Sequence, residues 1–329
     1  MIFFKQVYTY IILILIFSAI SCKRDNSYIA DGGIVWNTTY RILYDSNTSL
    51  TDSILATLKN VDNSVSAFND SSIVSKINRN EKHIIDSHFR KLYELSYNLN
   101  KTTYGAFDPT ISPLINAWGF GYEDLNNTKQ INIDSLLNFV GIEKTTLNDD
   151  SLIKSDSRTS FNFSAIAKGY GCDVVGEMFK RNGIENYMIE IGGEIVVAGV
   201  NPHGGKWRIS IDRPIIDNKN IIHQTQTIIE ISDAALATSG NYRNYKEIDG
   251  IRIAHTISPK TGKPIQTEIV SATIIASSCA IADAYATACM ASDLKTAKRI
   301  ITDNNLIALL LLDDGTSWQS QNFNSLIVK

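Results

Sequence analysis

The sequence predicts an α+β fold, in which one large mixed α/β domain carries antiparallel-rich sheets flanked by helices. Two observations favour this class. From residue 161 onwards, segments with helical spacing alternate with short apolar segments beside glycine turns, a pattern typical of antiparallel strands. No internal repeat and no linker rich in Pro, Gly or Ser divides residues 22–329, so we expect this stretch to form one domain.

The first half of the chain is expected to be mainly helical after an early strand. Residues 34–44 alternate branched, aromatic and polar side chains, which is typical of a strand. Residues 50–69 and 88–107 carry apolar side chains at helical spacing and should form helices, the second of which ends at Gly105. The prolines and glycines of residues 108–121 indicate an ordered loop.

The second half is expected to contain more strands. Helical spacing predicts a helix over 165–183, and a strand-like run over 186–200 follows it. The pair Gly192–Gly193 in the middle of that run indicates a bulge, because glycine weakens a strand unless the backbone must bend there. Residues 270–292 should pass from a strand into a helix. Further strands are expected at 206–214, 225–240 and 308–318.

Residues 1–21 have the features of a secretory signal peptide. Lys5 precedes an apolar run that is short for a membrane span, and small residues follow that run. Cys22 then stands where a bacterial lipoprotein box has its lipidated cysteine, although Ala19 replaces the more usual Leu. We therefore expect an extracytoplasmic lipoprotein, anchored on the periplasmic side of a membrane. A plain cleaved signal and an uncleaved anchor are the alternatives.

Composition excludes several classes of protein. The formal charge of −3 over 329 residues argues against a nucleic-acid binder, which usually has a basic excess. Besides Cys22 there are three cysteines, Cys172, Cys279 and Cys289, and none belongs to a CxxC pair. An odd number with this spacing indicates neither a disulfide framework nor a zinc site. We expect small, buried side chains at these positions.

Two residues could take part in chemistry near glycine-rich turns. Lys168 is flanked by Ala167 and Gly169 at the start of a predicted helix, so a phosphate or carboxylate could reach its ammonium group. An ordinary surface lysine is an equally good interpretation of this segment. His255 titrates in a range that suits a base, but a histidine with a structural hydrogen bond is the commoner case.

The segment "IADAYATACM" (281–290) carries one acid, Asp283, and one hydroxyl, Thr287, among small and apolar residues. A spacing of four residues places both side chains on the same face of a helix. A buried acid must be compensated. The segment is therefore either a helix with a satisfied polar pair or half of a metal site.

Eight segments in this order resemble the ApbE family, the FAD:protein FMN transferases. The resemblance extends from about residue 33 to 292, which is nearly all of the chain after the signal. It is carried by the segments WNTTYRI, VDNSVSAFNDSSIVSKIN, GAFDPTISPLINAWGFG, FSAIAKGYGCD, IEIGGEIVVAG, ATSGNYRNY, HTISPKTGKP and ADAYATACM.

The resemblance implies an ApbE-like, T-fold-related fold and an Mg²⁺-dependent enzyme. Such an enzyme cleaves the pyrophosphate of FAD, attaches FMN to a threonine or serine hydroxyl of an exported or membrane redox protein, and releases AMP. Two alternatives remain at this point. One is an FAD pyrophosphatase that gives FMN and AMP, and the other is a non-catalytic flavin-binding lipoprotein.

The resemblance also implies roles for particular residues. The metal ligands would be the side chains of Asp283 and Thr287 and the carbonyl of Ala165, since Mg²⁺ prefers hard oxygen donors. His255 would be the base that takes the proton from the acceptor hydroxyl. The residues implied to contact FAD are Trp36, Phe68, Ala106, Phe107, Asp108, Asn162, Lys168, Gly192, Gly193, Ser239, Gly240 and Ile257.

Three positions depart from the family pattern. Trp36 stands where Met is usual, and Asn162 and Ser258 stand where Asp is common. None of the three is a side-chain metal ligand, so the departures concern flavin affinity more than chemistry.

Overall fold

The computed structural model describes residues 27–121, 132–217, 220–240, 245–248, 251–254 and 256–328. The helices in this part of the chain are α1 Thr51–Val65, α2 Ile73–Asn78, α3 Ser87–Thr102, α4 Ser112–Ala117, α5 Ile133–Leu137, α6 Ala167–Arg181, α7 Cys279–Met290 and α8 Leu294–Asp303. The strands are β1 Tyr28–Val35, β2 Thr38–Asp45, β3 Thr145–Leu147, β4 Leu152–Lys154, β5 Tyr187–Ile191, β6 Glu194–Ala198, β7 Trp207–Asp217, β8 Asn220–Ile231, β9 Ala234–Gly240, β10 Tyr245–Ile248, β11 Ile251–Ala254, β12 Ile269–Ala276, β13 Ile307–Leu312 and β14 Ser317–Gln319. In the described ranges, no helix is both long and apolar enough to cross a membrane.

Eight strands form the main sheet, in the order β1-β2-β5-β6-β9-β12-β13-β14. Every neighbouring pair in this sheet is antiparallel. The pairs β3-β4, β7-β8 and β10-β11 form separate two-stranded sheets. The prediction of an α+β fold with antiparallel-rich sheets flanked by helices is therefore confirmed.

The two faces of the main sheet pack against different partners, because successive side chains of a strand point to opposite faces. On one face, Ala235 and Ala237 of β9 join apolar clusters formed with the helices. On the other face, Leu236 packs with Trp207 and Ile229 of the β7–β8 hairpin. The sheet thus lies between a layer of helices and a two-stranded hairpin.

The early strand is a hairpin, so the prediction of a single strand over 34–44 is wrong at its start. β1 ends at Val35, and Trp36 (φ 50°) and Asn37 (φ 59°) make a two-residue turn into β2. Both turn residues have positive φ, as the hairpin turns that match strand twist require. A bulky Trp seldom adopts that conformation, so the sequence does not indicate a turn here and its alternating side chains predict a continuous strand.

Gly192 and Gly193 do not form a bulge. They are the two-residue turn between β5 and β6, with φ values of 64° and 99°. Ile191 pairs directly with Glu194 across this turn, so the turn ends one strand and begins the next.

Three further boundaries differ from the predictions. α3 ends at Thr102 instead of Gly105. α1 ends at Val65 instead of 69, because Ser66 is already extended. The expected loop over 108–121 contains the short helix α4. Pro113 lies in its first turn, where the backbone N–H has no partner within the helix and its absence costs little.

Candidate active site

Helices α6 and α7 bring three charged or polar side chains together on the helical face of the main sheet. Lys168 is the second residue of α6, and its Nζ lies 4.0 Å from Oδ2 of Asp283 on α7. Thr287 lies one turn further along α7, and its hydroxyl is 3.2 Å from Oγ of Ser239, near the end of β9. Asp283 is 1% exposed, so its charge is held inside the protein.

The small residues of α7 explain how a helix can be buried at this place. Its alanines allow it to pack between α6 and the strands β9 and β12. Gly169 of α6 is the point of closest approach, since a Cβ at that position would lie 2.3 Å from the carbonyl oxygen of Cys279. Only glycine leaves room for the two backbones to meet here.

Asp173 of α6 fixes the beginning of α7. Its Oδ1 accepts a hydrogen bond from the backbone N–H of Cys279 at 2.8 Å, and its Oδ2 accepts from the N–H of Ala280 at 2.9 Å. Oδ2 also accepts from the hydroxyl of Ser278 at 2.7 Å. A carboxylate at a helix N-terminus satisfies otherwise unpaired N–H groups and complements the helix dipole. Asp173 therefore fixes the end of the helix that carries Asp283.

The same arrangement leaves the carbonyl of Ala165 without the partner that a continued helix would give it. In a continued helix the N–H of Gly169 would bond to that carbonyl, but it donates instead to Oδ2 of Asp283 at 3.2 Å. One carboxylate, one hydroxyl and one carbonyl thus lie at the junction of α6 and α7. Such an all-oxygen set suits a hard divalent cation. No cluster of three or more His, Cys, Asp or Glu side chains that could hold a softer metal occurs among the described residues.

Two carboxylates share one ammonium group at this junction. Nζ of Lys168 donates to Oε1 of Glu194 at 2.6 Å, in addition to its longer approach to Asp283. Burial raises the pKa of Asp283, and the charge of Lys168 opposes that rise. Burial also raises the pKa of Glu194, and Asp283 adds to the rise while Lys168 opposes it. Burial lowers the pKa of Lys168, but the two carboxylates outweigh it and raise that pKa above its usual range.

A cavity of about 210 Å³ opens beside this group. It is lined by Ala106, Phe107, Asp108, Ile111, Ile115, Asn162, Ser164, Ala165, Lys168, Ser239, Gly240, Thr256, Ile257, Pro259, Asp283, Thr287, Met290 and Ala291. One end of the cavity is therefore charged, while Ile111, Ile115 and Pro259 make other parts of it apolar.

A second cavity of about 190 Å³ adjoins the first and shares Ser164 and Lys168 with it. Trp36 and Phe68 line its far side, and both also border a third, open cavity of about 800 Å³. Trp36 lies against α6 because Gly171 has no side chain, since a Cβ there would be 2.5 Å from Cη2 of the indole. The three cavities form a cleft that passes from aromatic side chains across Lys168 to Asp283.

Comparisons with known proteins agree with this arrangement. The family model described as "ApbE family" matches residues 34–311. The chain belongs to the ApbE family.

Relatives with known names support this assignment. A protein of Vibrio cholerae (serotype O1, strain O395) called FAD:protein FMN transferase is 35% identical over 324 residues, covering 94% of this chain and 95% of that protein. The protein of the same name from Escherichia coli K12 is 32% identical over 286 residues, covering 84% and 78%.

Solved structures of the family have the same fold. The flavin transferase ApbE of Vibrio cholerae has a TM-score of 0.80 at 32% identity and covers 91% of this chain and 99% of its own. The apo form of the flavinyl transferase ApbE of Pseudomonas stutzeri has a TM-score of 0.81 at 28% identity, with coverage of 91% and 96%. The resemblance inferred from the sequence motifs is therefore confirmed.

Most of the residues that the ApbE motifs pick out lie along this cleft. The first cavity is lined by Ala106, Phe107, Asp108, Asn162, Ala165, Lys168, Ser239, Gly240, Ile257, Asp283 and Thr287. Trp36 and Phe68 line the second. Gly192 lies beside the stem of Lys168, where an added Cβ would be 3.2 Å from its Cδ. His255 and Cys22 lie outside the described residues, as does the signal segment 1–21.

Asp108 borders the cavity, but its side chain is engaged within the protein. Oδ1 accepts from the N–H and the hydroxyl of Thr110, at 2.8 and 2.6 Å. Oδ2 accepts from Nδ2 of Asn100 at 3.0 Å and from the N–H of Ile142 at 3.1 Å. Four donors leave this carboxylate little capacity for a ligand, so Asp108 shapes the loop and offers mainly its backbone to the cavity.

Asn162 has a comparable local role. Its Oδ1 accepts from the N–H of Ser164 at 2.8 Å, a turn that leads the chain into α6. Its own N–H donates to the carbonyl of Pro109 at 2.7 Å, which ties the two walls of the cavity together. An amide makes these contacts as well as a carboxylate would, so the departure from the common Asp removes a charge and leaves the turn intact.

Sequence reasoning missed Asp173 and Glu194. Both stand inside the recognised motifs, but no spacing rule links either of them to Lys168 or to α7. Asp173 acts on a helix that begins 106 residues later, and Glu194 reaches Lys168 only because the β5–β6 turn faces α6.

Proposed function

We propose that this chain is an Mg²⁺-dependent FAD:protein FMN transferase. It cleaves the pyrophosphate of FAD, attaches FMN to a threonine or serine hydroxyl of an exported or membrane redox protein, and releases AMP. The observation that carries the proposal is the cleft itself. Lys168, Asp283 and Thr287 face one cavity, and a cavity lined by aromatic side chains adjoins it on the other side of Lys168.

The cleft suits a dinucleotide in size and chemistry. Trp36 and Phe68, the latter 60% exposed, offer flat faces on which a ring system can stack. Lys168 lines both of these cavities, and its ammonium group could contact a pyrophosphate that joins two nucleotides. The apolar part of the first cavity, near Ile257 and Pro259, can receive the other end of the molecule.

The metal would be held by the carboxylate of Asp283, the hydroxyl of Thr287 and the carbonyl of Ala165. These donors fit Mg²⁺, which prefers hard oxygens and completes its shell with water and substrate phosphate. A bound Mg²⁺ would polarise the pyrophosphate and make its phosphorus more electrophilic. Ser239 keeps the hydroxyl of Thr287 in place through its 3.2 Å contact.

The transfer is a displacement at phosphorus, in which the acceptor hydroxyl replaces AMP. The acceptor hydroxyl oxygen forms a bond to the phosphorus of the FMN half as the bond from that phosphorus to the bridging oxygen breaks. AMP leaves with the bridging oxygen, and Lys168 is placed to offset its charge. A threonine hydroxyl is a weak nucleophile until a base accepts its proton, and His255 is our candidate for that base.

The test is a transfer assay with purified protein, FAD, Mg²⁺ and a recombinant acceptor that carries the flavinylation threonine. We expect a fluorescent acceptor band that resists denaturation, together with one AMP per flavin attached. EDTA should abolish the band, and Thr287→Val should raise the Mg²⁺ concentration needed for half-maximal rate. AMP release without any band, at a rate independent of acceptor, would instead identify an FAD pyrophosphatase, and intact FAD would identify a non-catalytic binder.

We further propose that the protein is exported and anchored by a lipid on Cys22. The support is the sequence of residues 1–22, in which a short apolar run and small residues precede the cysteine. Labelling of the expressed protein with a fatty-acid analogue should mark the wild type and not Cys22→Ser. Equal labelling of both would contradict the anchor.

A further inference from the structure

Lys168 has two buried carboxylates within reach but bonds closely to only one of them. Its Nζ is 2.6 Å from Oε1 of Glu194 and 4.0 Å from Oδ2 of Asp283. Glu194 is 3% exposed, and its second carboxylate oxygen has no hydrogen-bond partner among the described residues. The side chain of Glu194 is thus dedicated to Lys168.

The β5–β6 hairpin fixes this geometry from the side of the sheet. Glu194 is the first residue after the Gly192–Gly193 turn, and its carbonyl accepts a hydrogen bond from Sγ of Cys172 at 3.3 Å. Gly192 lies against the stem of Lys168, since a Cβ there would be 3.2 Å from Cδ. The turn therefore directs the lysine stem while Glu194 holds its ammonium group.

This contact has a consequence for the metal site of the proposed function, on which the inference rests. A lysine bonded directly to Asp283 would compete with a divalent cation for that carboxylate. Held by Glu194, Lys168 leaves Asp283 with the N–H of Gly169 as its nearest donor. Counting all three groups as ionised, two carboxylates and one ammonium leave one negative charge, which favours a cation.

We propose that Glu194 is a positioning residue that keeps Lys168 from pairing with Asp283 and so keeps Asp283 available to the metal. Without the charge of Glu194, we expect the ammonium group of Lys168 to move towards the carboxylate of Asp283. The metal must then displace a lysine before it binds.

The test measures Mn²⁺ binding to the FAD-free protein by the EPR signal of the free ion. Glu194→Gln keeps the size of the side chain and removes its charge, and we expect its Kd for Mn²⁺ to rise by about tenfold or more. The rate of FAD cleavage should recover at saturating Mg²⁺, because the metal then displaces the lysine. Glu230→Gln is the matched control. It removes a carboxylate that is paired with Arg208 on the exposed side of the β7–β8 hairpin, and it should leave the Kd unchanged.

A double-mutant cycle separates this mechanism from a simple loss of negative charge near the metal. In a Lys168→Met background, Glu194→Gln should change the Kd by less than about twofold, because no lysine remains to be released. An equal loss of affinity in both backgrounds would overturn the inference. Glu194→Asp, which keeps the charge with a shorter reach, should give an intermediate Kd and tests the same point if the Gln variant does not fold.

The outcomes also separate this inference from the proposed function. If the wild type does not bind Mn²⁺ and its rate of FAD cleavage does not depend on Mg²⁺, both the metal site and the inference are wrong. If wild type and Glu194→Gln bind Mn²⁺ with the same Kd, the inference about Glu194 is wrong but the proposed metal site is not contradicted.

Discussion

On the helical face of the main sheet, α6 and α7 enclose Lys168, Asp283 and Glu194 among alanines and glycines. On the opposite face, the β7–β8 hairpin covers the sheet with Trp207, Ile229 and other apolar side chains. The first face buries charged side chains, and a buried charge destabilises the folded protein unless it is paired. The second buries apolar area, which stabilises by about 25 cal/mol per Å².

This contrast predicts that one face mainly determines function and the other mainly determines stability. The charged side chains of the helical face lie at the cleft that we propose as the active site, so changes there should alter chemistry more than folding. The hairpin face touches no part of the cleft among the described residues, so changes there should alter folding more than chemistry. Substitutions on the two faces can test this division.

Asp283→Asn should produce the largest effect on function. The amide oxygen can still accept from the N–H of Gly169, but the charge that we propose to bind the metal is lost. We expect FAD cleavage to fall on the order of 10²–10³-fold. The metal-free protein should keep its free energy of unfolding within about 1 kcal/mol, because removal of a buried charge offsets the weaker hydrogen bond. A rate assay and urea unfolding in EDTA check both parts, and a large loss of stability would contradict the division.

Ile229→Ala should produce the opposite result. Ile229 is fully buried in the cluster between the hairpin and the sheet. Its truncation leaves a cavity and should lower the free energy of unfolding by about 2–5 kcal/mol. The rate of FAD cleavage per folded molecule should stay within about twofold of wild type at a temperature where both are folded. A matched loss of rate would mean that the hairpin supports the cleft as well.

Gly169→Ala should affect both properties, because it lies where α6 meets α7. An added Cβ would be 2.3 Å from a backbone oxygen that cannot move away alone, so the helices must separate. Overpacking of this kind costs about 1–3 kcal/mol, and it also shifts Lys168 relative to Asp283. Gly205→Ala is the control, since a Cβ there meets nothing closer than 3.7 Å. Equal unfolding midpoints for wild type and Gly169→Ala would contradict the close approach.

Local patterns in the sequence predict much of this architecture but not its contacts. Apolar spacing over 165–183 predicts α6 to within two residues at each end, and the Asp–Thr spacing correctly puts Asp283 and Thr287 on one face of a helix. The hairpin turn at Trp36 escapes prediction because its positive φ is imposed by pairing of β1 with β2.

In the candidate site, too, the sequence predicts the residues but not their contacts. The motifs identify Lys168, but the direction of its ammonium group depends on Glu194, which approaches from another element. Similarly, Asp173 caps a helix that is distant in the chain. Contacts of this kind follow from how α6, α7 and the β5–β6 turn pack, and no single segment of the sequence predicts that packing.

Asp293→Ala should give the smallest effect among these substitutions. It removes the cap of α8, a helix of the helical face. Asp293 caps α8, and its carboxylate accepts from the N–H of Thr296 at 2.7 Å. That hydrogen bond lowers the pKa of Asp293 below its usual value. Loss of the cap should cost about 1 kcal/mol at pH 7.

The pH dependence of this cost follows from the direction of the shift. A lowered pKa in the folded protein contributes stability above the pKa of the unfolded chain, and this contribution disappears as pH falls through the folded value. The difference between wild type and Asp293→Ala should therefore shrink as pH falls below about 4. Asp293→Asn keeps an acceptor without the charge, so its difference from Asp293→Ala should stay constant with pH. Thermal unfolding of the three proteins from pH 7 to pH 3 measures this, and a gap between wild type and Asp293→Ala that widens in acid would show that the carboxylate is not the cap.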